Sequence, residues 1–180
     1  MNRSQQSGEE SYAGTVSNGA LAVMRARLVD TNINEKTLLA TDYLNHFNEF
    51  VMLLELIGDM PDMLDEAREW HPKTYQDHFS ESAFSDRDLA IEAYSISPPE
   101  FRGRFDETIT RIHAEIDSAF AMVVATVEAN DVEANDNDRL SILVLDSAQT
   151  IRNLIDVASA IINGFDDTSS QSDVDRLLQN

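Results

Sequence analysis

Apolar residues recur at steps of three and four over three long stretches of this chain, a period that predicts helices and not strands. In the first stretch Leu39, Tyr43, Phe47, Phe50, Leu54 and Ile57 form one line, which predicts a helix over 34–57, ended by Gly58 with Pro61 beyond it. In the second, Phe101, Phe105, Ile109, Ile112, Ile116, Phe120, Val123 and Val127 predict a helix that opens at Pro98-Pro99 and runs to about 128. Gly103 weakens only its first turn. In the third, Leu140, Val144, Ala148, Ile151, Ile155, Ala158 and Ile162 predict a helix over 138–163, with Gly164 in the position just past the end where glycine is favoured. At 1.5 Å per residue each of these would span roughly 35–45 Å.

Shorter elements fill the gaps. Leu21, Met24 and Leu28 mark a short amphipathic segment, and Thr31-Asn32-Ile33-Asn34 marks a break after it. All four prolines fall between 61 and 99, so this region breaks into pieces: a short helix over 61–70, an ambiguous stretch over 72–79, and a short helix over 85–94 with Ser85 as its N-cap. Residues 130–137 read as a polar acidic turn. The fold class is therefore all-α: an elongated antiparallel helical bundle of three long helices plus short ones, the second and third forming a hairpin and 61–97 covering one side or end. Three such helices leave an apolar stripe for a second copy, and a homodimer is expected. The domain reading is a disordered tail over 1–18, rich in Ser, Gln, Asn and Gly, a helical domain over 19–164, and a linker with a tethered amphipathic peptide over 165–180.

Charge and composition narrow the function. The 180 residues suffice for one domain with a core. The formal net charge of −20 repels nucleic acid and anionic lipid and favours a partner with a basic patch. The absence of cysteine excludes disulfides, thiolate chemistry and Cys-ligated metal. Residues 1–12 carry no apolar run that would make a signal or transit peptide, and no stretch approaches a membrane span, so the expected location is the cytoplasm, with no membrane partner.

Three groups of residues bear on chemistry. Four histidines are present, but no Glu-x-x-His pair accompanies them, so neither a metal site nor any other cofactor is predicted. Asp42, Asn45 and Glu49 share a helix face and His46 sits beside it. His46 is either a phosphoacceptor on a bundle helix, although the Lys-Gly common after such a histidine is replaced by Phe47-Asn48-Glu49, or a member of a hydrogen-bonded polar stripe between helices. Asp146 and Gln149 lie on one face of the third helix, where a carboxylate beside an amide can orient water for attack on an aspartyl phosphate. Phosphate-binding glycine loops, Gly-x-Ser-x-Gly elbows and zinc-protease motifs are absent.

The most informative stretch is Ser170-Gln171-Ser172-Asp173-Val174-Asp175-Arg176-Leu177-Leu178. Val174, Leu177 and Leu178 fall at i, i+3 and i+4, one apolar face on a helix too short to hold itself together in water. The stretch resembles the segment with which the flagellar switch protein and the chemotaxis phosphatase dock on the chemotaxis response regulator, a receiver-domain protein. The resemblance implies that Val174, Leu177 and Leu178 enter an apolar groove on the regulator, that Asp173 and Asp175 meet its basic residues, and that Gln171 belongs to the same contact. The phosphatase family carries Asp-Leu-Thr-Gly-Gln on a bundle helix with the acid and amide four apart. Here Asp146 and Gln149 are three apart and Leu-Thr-Gly is absent. Three readings follow: a non-catalytic adaptor that presents the peptide to a receiver domain, a response-regulator phosphatase, and a structural helical bundle that binds a helical partner or itself with no signalling role. For the peptide alone, the alternative to docking is a tail helix that folds back on its own bundle.

Overall fold

A computed structural model describes residues 18–129 and 136–165. The expected tail, the centre of the 130–137 turn, and the linker and peptide from 166 onward lie outside the described residues. Every named element within them is helical: α1 Asn18–Arg27, a 3₁₀ turn Thr41–Leu44, α2 Asn45–Asp59, a 3₁₀ turn Pro61–Met63, α3 Leu64–Glu69, α4 Tyr75–Glu81, α5 Arg87–Ser95, α6 Pro99–Ala129 and α7 Asp136–Ile162. No helix among the described residues is long and apolar enough to cross a membrane.

The two longest helices follow their apolar lines. Leu140, Val144, Ala148, Ile151, Ile155, Ala158 and Ile162 of α7 are all buried, as are Phe101, Phe105, Ile109, Ile112, Ile116 and Val123 of α6. Each large side chain so buried contributes about 1.5–3 kcal/mol. These two helices pack on each other, and α2 packs on α7. Gly58 makes the second contact close: a Cβ there would lie 3.5 Å from Cγ1 of Val144, and the Gly58 carbonyl accepts from Ser141 Oγ at 3.4 Å. A two-pronged ion pair between Arg152 and Glu55 joins the same helices at the surface. At the other end, Arg104 Nη1 reaches the Phe165 carbonyl at 3.5 Å, so the start of α6 lies beside the end of α7.

The first long helix is shorter than its apolar line predicts. It begins at Asn45 and not near 34. The reason is local: Asn34 Oδ1 accepts from the backbone N–H groups of Lys36 (2.9 Å) and Thr37 (3.0 Å), an alternative to helical bonding that asparagine favours. The chain then turns back, with Ile33 bridged to Ala40 and Leu38 at φ 61°. A leucine in the left-handed region costs about 1 kcal/mol or more, which the complete burial of Leu38 and Leu39 offsets.

This 34–40 strap fastens the end of α7. Buried Thr37 donates its hydroxyl to the Ile162 carbonyl at 2.6 Å, and its own carbonyl accepts from Ser97 Oγ at 2.7 Å. Lys36 Nζ donates to the Gly164 carbonyl at 2.7 Å and lies 5.1 Å from the centre of the Phe101 ring. Gly164 takes φ 76°, as the sequence predicts, and the backbone bonds Phe165 N to Ala160 O and Gly164 N to Ile161 O close a Schellman cap.

The 61–97 region packs on the bundle through aromatic rings. Tyr75 of α4 stacks on Tyr94 of α5 (4.6 Å between centres) and meets Phe105 of α6 edge-on at 5.9 Å. The ambiguous 72–79 stretch resolves into the start of α4, capped by Thr74 Oγ1, which accepts from the Asp77 N–H at 3.1 Å. Ser85 is not the cap of α5. Asp86 holds that position, without a side-chain cap bond, and the Ser85 hydroxyl donates to the Asp86 carboxylate instead.

Candidate functional site

The polar stripe at the start of α2 is divided by the fold. Asp42 and Asn45, with Thr41, Asn48 and with Asp156 and Ser159 of α7, line a polar cleft of about 340 Å³. His46 and Glu49 line a separate hollow of about 190 Å³ with Lys73, His78, Glu81 and Ser82. Thus Asp42, Asn45, His46 and Glu49 do not converge on one point.

His46 is 4% exposed. Its Nε2 lies 3.0 Å from the His71 carbonyl, which can only accept, so that nitrogen carries the hydrogen. Nδ1 is 3.9 Å from a Glu49 oxygen. The ring lies against the Trp70 indole, 4.5 Å between centres at 19°, and Trp70 Nε1 donates to the His46 carbonyl at 3.3 Å. Burial pushes the His46 pKa down to about 4 despite the His71 bond, and the positive charge of Lys73 acts in the same direction. His78 and His113 are also lowered, chiefly by burial. One ring nitrogen is thus engaged by the His71 carbonyl, and one face of the ring is covered by Trp70. His46 clamps α2 to the segment after α3. Among the described residues, no group of three or more His, Asp or Glu is arranged to hold a metal ion.

On α7, Asp146 and Gln149 are both exposed, on the face opposite the core line. The Gln149 amide donates to Asn153 Oδ1 at 2.9 Å, which leaves its carbonyl oxygen to the solvent side. Exposed apolar side chains share this surface of α7: Ile142 (68% exposed), Leu145 (62%) and Val157 (47%). Asn153 also lines a shallow groove of about 420 Å³ between the two longest helices, walled by Arg111, Ala114 and Glu115 of α6 and by Thr150, Asn153, Leu154 and Val157 of α7. The Gln149 amide and this groove are therefore linked through one side chain.

The partner-binding residues expected from the sequence, Gln171, Asp173, Val174, Asp175, Leu177 and Leu178, lie outside the described residues. What the described body fixes is the point from which they depart, the capped end of α7 at Gly164, with the Phe165 carbonyl turned towards Arg104.

Sequence reasoning missed the Trp70 clamp and the α6–α7 groove. The single tryptophan was the available signal for the first. For the second it was the placement of Leu154 and Val157 off the buried line of α7. Comparison with protein-family models, with curated proteins and with solved structures returns no match for this chain.

Proposed function

We propose that this protein is a non-catalytic signalling adaptor whose 170–178 segment binds the receiver domain of a chemotaxis-type response regulator. The observation that carries the reading is the order Ser170-Gln171-Ser172-Asp173-Val174-Asp175-Arg176-Leu177-Leu178, an apolar face flanked by acids. A groove that accepts Val174, Leu177 and Leu178 gains their burial, and basic residues at its rim gain Asp173 and Asp175. In this reading the body is an antiparallel bundle of three long helices, works in the cytoplasm, and offers exposed Met52 and Leu56 of α2 and Ile142 and Leu145 of α7 to a second copy. The net charge of −20 suits a basic docking face and opposes nucleic acid.

The test is a titration of a labelled 168–180 peptide into phosphorylated and unphosphorylated receiver domains. Saturable binding that Leu177→Ala with Leu178→Ala abolishes is the expected result. Absence of saturation, or indifference to that double substitution, removes the proposal.

A second reading is favoured by the joint exposure of Asp146 and Gln149 on one face of α7: an aspartyl-phosphate phosphatase in which the Gln149 amide orients the attacking water and Asp146 assists. The full chain should then accelerate dephosphorylation of a phosphorylated regulator, and Gln149→Ala should return it to the spontaneous rate. An unchanged rate with the full chain excludes this reading.

A further inference from the structure

The groove between α6 and α7 and the exit point of the chain stand in a suggestive relation. The end of α7 is pinned by Lys36 and Thr37, and the Phe165 carbonyl faces Arg104, so the described chain ends beside the start of α6. From Arg104 the groove wall at Arg111 is seven residues along α6, about 10 Å. The eight residues from Phe165 to Asp173 reach up to about 27 Å when extended, so they arrive with slack.

We infer that this groove is an internal docking site for the chain's own 173–178 segment, which a receiver domain must displace. The inference extends the adaptor reading and is separable from it. Leu154, Val157 and Ala114 supply an apolar floor. One wall carries Arg111, which has no ion-pair partner among the described residues, and the other carries the Asn153 amide. On a helix formed by 173–178, Asp173 and Asp175 flank the Val174–Leu177–Leu178 face on its two sides. An apolar strip between two acids thus meets an apolar floor between a guanidinium and an amide donor. The tether permits the matching register: with Asp173 set level with Arg111, a helical segment running along α6 puts Arg176 near the level of Glu115. The tether raises the local concentration of the segment at this groove to the millimolar range, an advantage that a second copy lacks at ordinary protein concentration.

The chain has no cysteine, so Gln179→Cys gives one attachment point for a nitroxide on the full-length protein. Docking in cis should broaden the amide signals of Ala114, Leu154 and Val157 and leave Met24 sharp. Val157→Asp should restore them, and Arg111→Glu, also on an exposed side chain, should do so independently. Unbroadened groove signals overturn the inference. Equal broadening of isotope-labelled chains that lack the nitroxide, on mixing with chains that carry it, also overturns it, since the occupant is then a second copy. In the binding arm, the full chain carrying Val157→Asp should bind a receiver domain about tenfold more tightly than the parent chain if the segment is docked nine-tenths of the time. Equal affinities count against docking in cis. Failure of the isolated 168–180 peptide to bind any receiver domain removes the adaptor reading alone, and the nitroxide measurement still decides the groove.

Discussion

The imidazole of His46 lies flat on the indole of Trp70, and each residue also reaches past the other's ring: Trp70 Nε1 donates to the His46 carbonyl, and His46 Nε2 to the carbonyl of His71. Two residues 24 apart in sequence thus hold α2 and the segment after α3 in one arrangement. Trp70→Ala removes the stack, the bond and a contact with Phe50 at 4.8 Å. It should lower unfolding stability by about 3 kcal/mol, measured by urea denaturation. By admitting water to the ring it should also move the His46 pKa up from about 4 towards the ordinary histidine value, measured by NMR titration.

Acid should destabilise the fold through its histidines. In the unfolded chain a histidine takes up its proton near pH 6.5, whereas burial holds His46 neutral down to about 4. Between these values the unfolded state binds more protons, so stability is complete above pH 6.5 and falls as pH drops towards 4. His46 alone accounts for roughly 2–3 kcal/mol over that window. His78 and His113 are shifted the same way. Thermal melts at successive pH values check this, and His46→Gln should flatten the profile.

Gly164→Ala tests the cap of α7. At φ 76° an alanine is strained, and its Cβ would sit 2.8 Å from Cδ of Lys36, forcing that side chain off the Gly164 carbonyl. The expected loss is about 1–2 kcal/mol. In a Lys36→Ala background the same substitution should cost only the strain, about 1 kcal/mol. Chemical denaturation of the four proteins in this cycle measures the difference.

His113→Phe should stabilise the protein. Nε2 of His113 is buried without a hydrogen-bond partner among the described residues, and its ring sits 5.5 Å from that of Phe47. A phenyl ring of similar size removes the unsatisfied nitrogen, and a gain of about 1 kcal/mol is expected in denaturant midpoints.

The long helices were legible because burial follows a single local period: every residue on the apolar line of α7 is buried in the structure. The 34–40 strap was not, because Leu39 continues the α2 period while the Asn34 side chain takes the two N–H groups that a helix would have left to cap or solvent. The polar stripe of α2 was visible, but its division was not. His46 is buried by Trp70 and approached by His78, residues placed by α3 and α4, and no spacing within α2 encodes that. On α7 the pairing of Asp146 with Gln149 was readable from helix geometry, whereas the bond from Gln149 to Asn153, and through it the link to the groove, depended on rotamers.

The strap at Lys36 and Thr37 touches Ile162 and Gly164, residues 125 and 128 positions away. Bonds of such span form only when nearly all the intervening chain is in place, since the loop they close is almost the whole body. Once formed, they make the two margins of the fold share a fate: the last turn of α7 cannot fray unless the strap lifts, and the strap cannot lift without exposing Thr37. Amide exchange at Thr37 and at Ile162 should therefore proceed through one common opening.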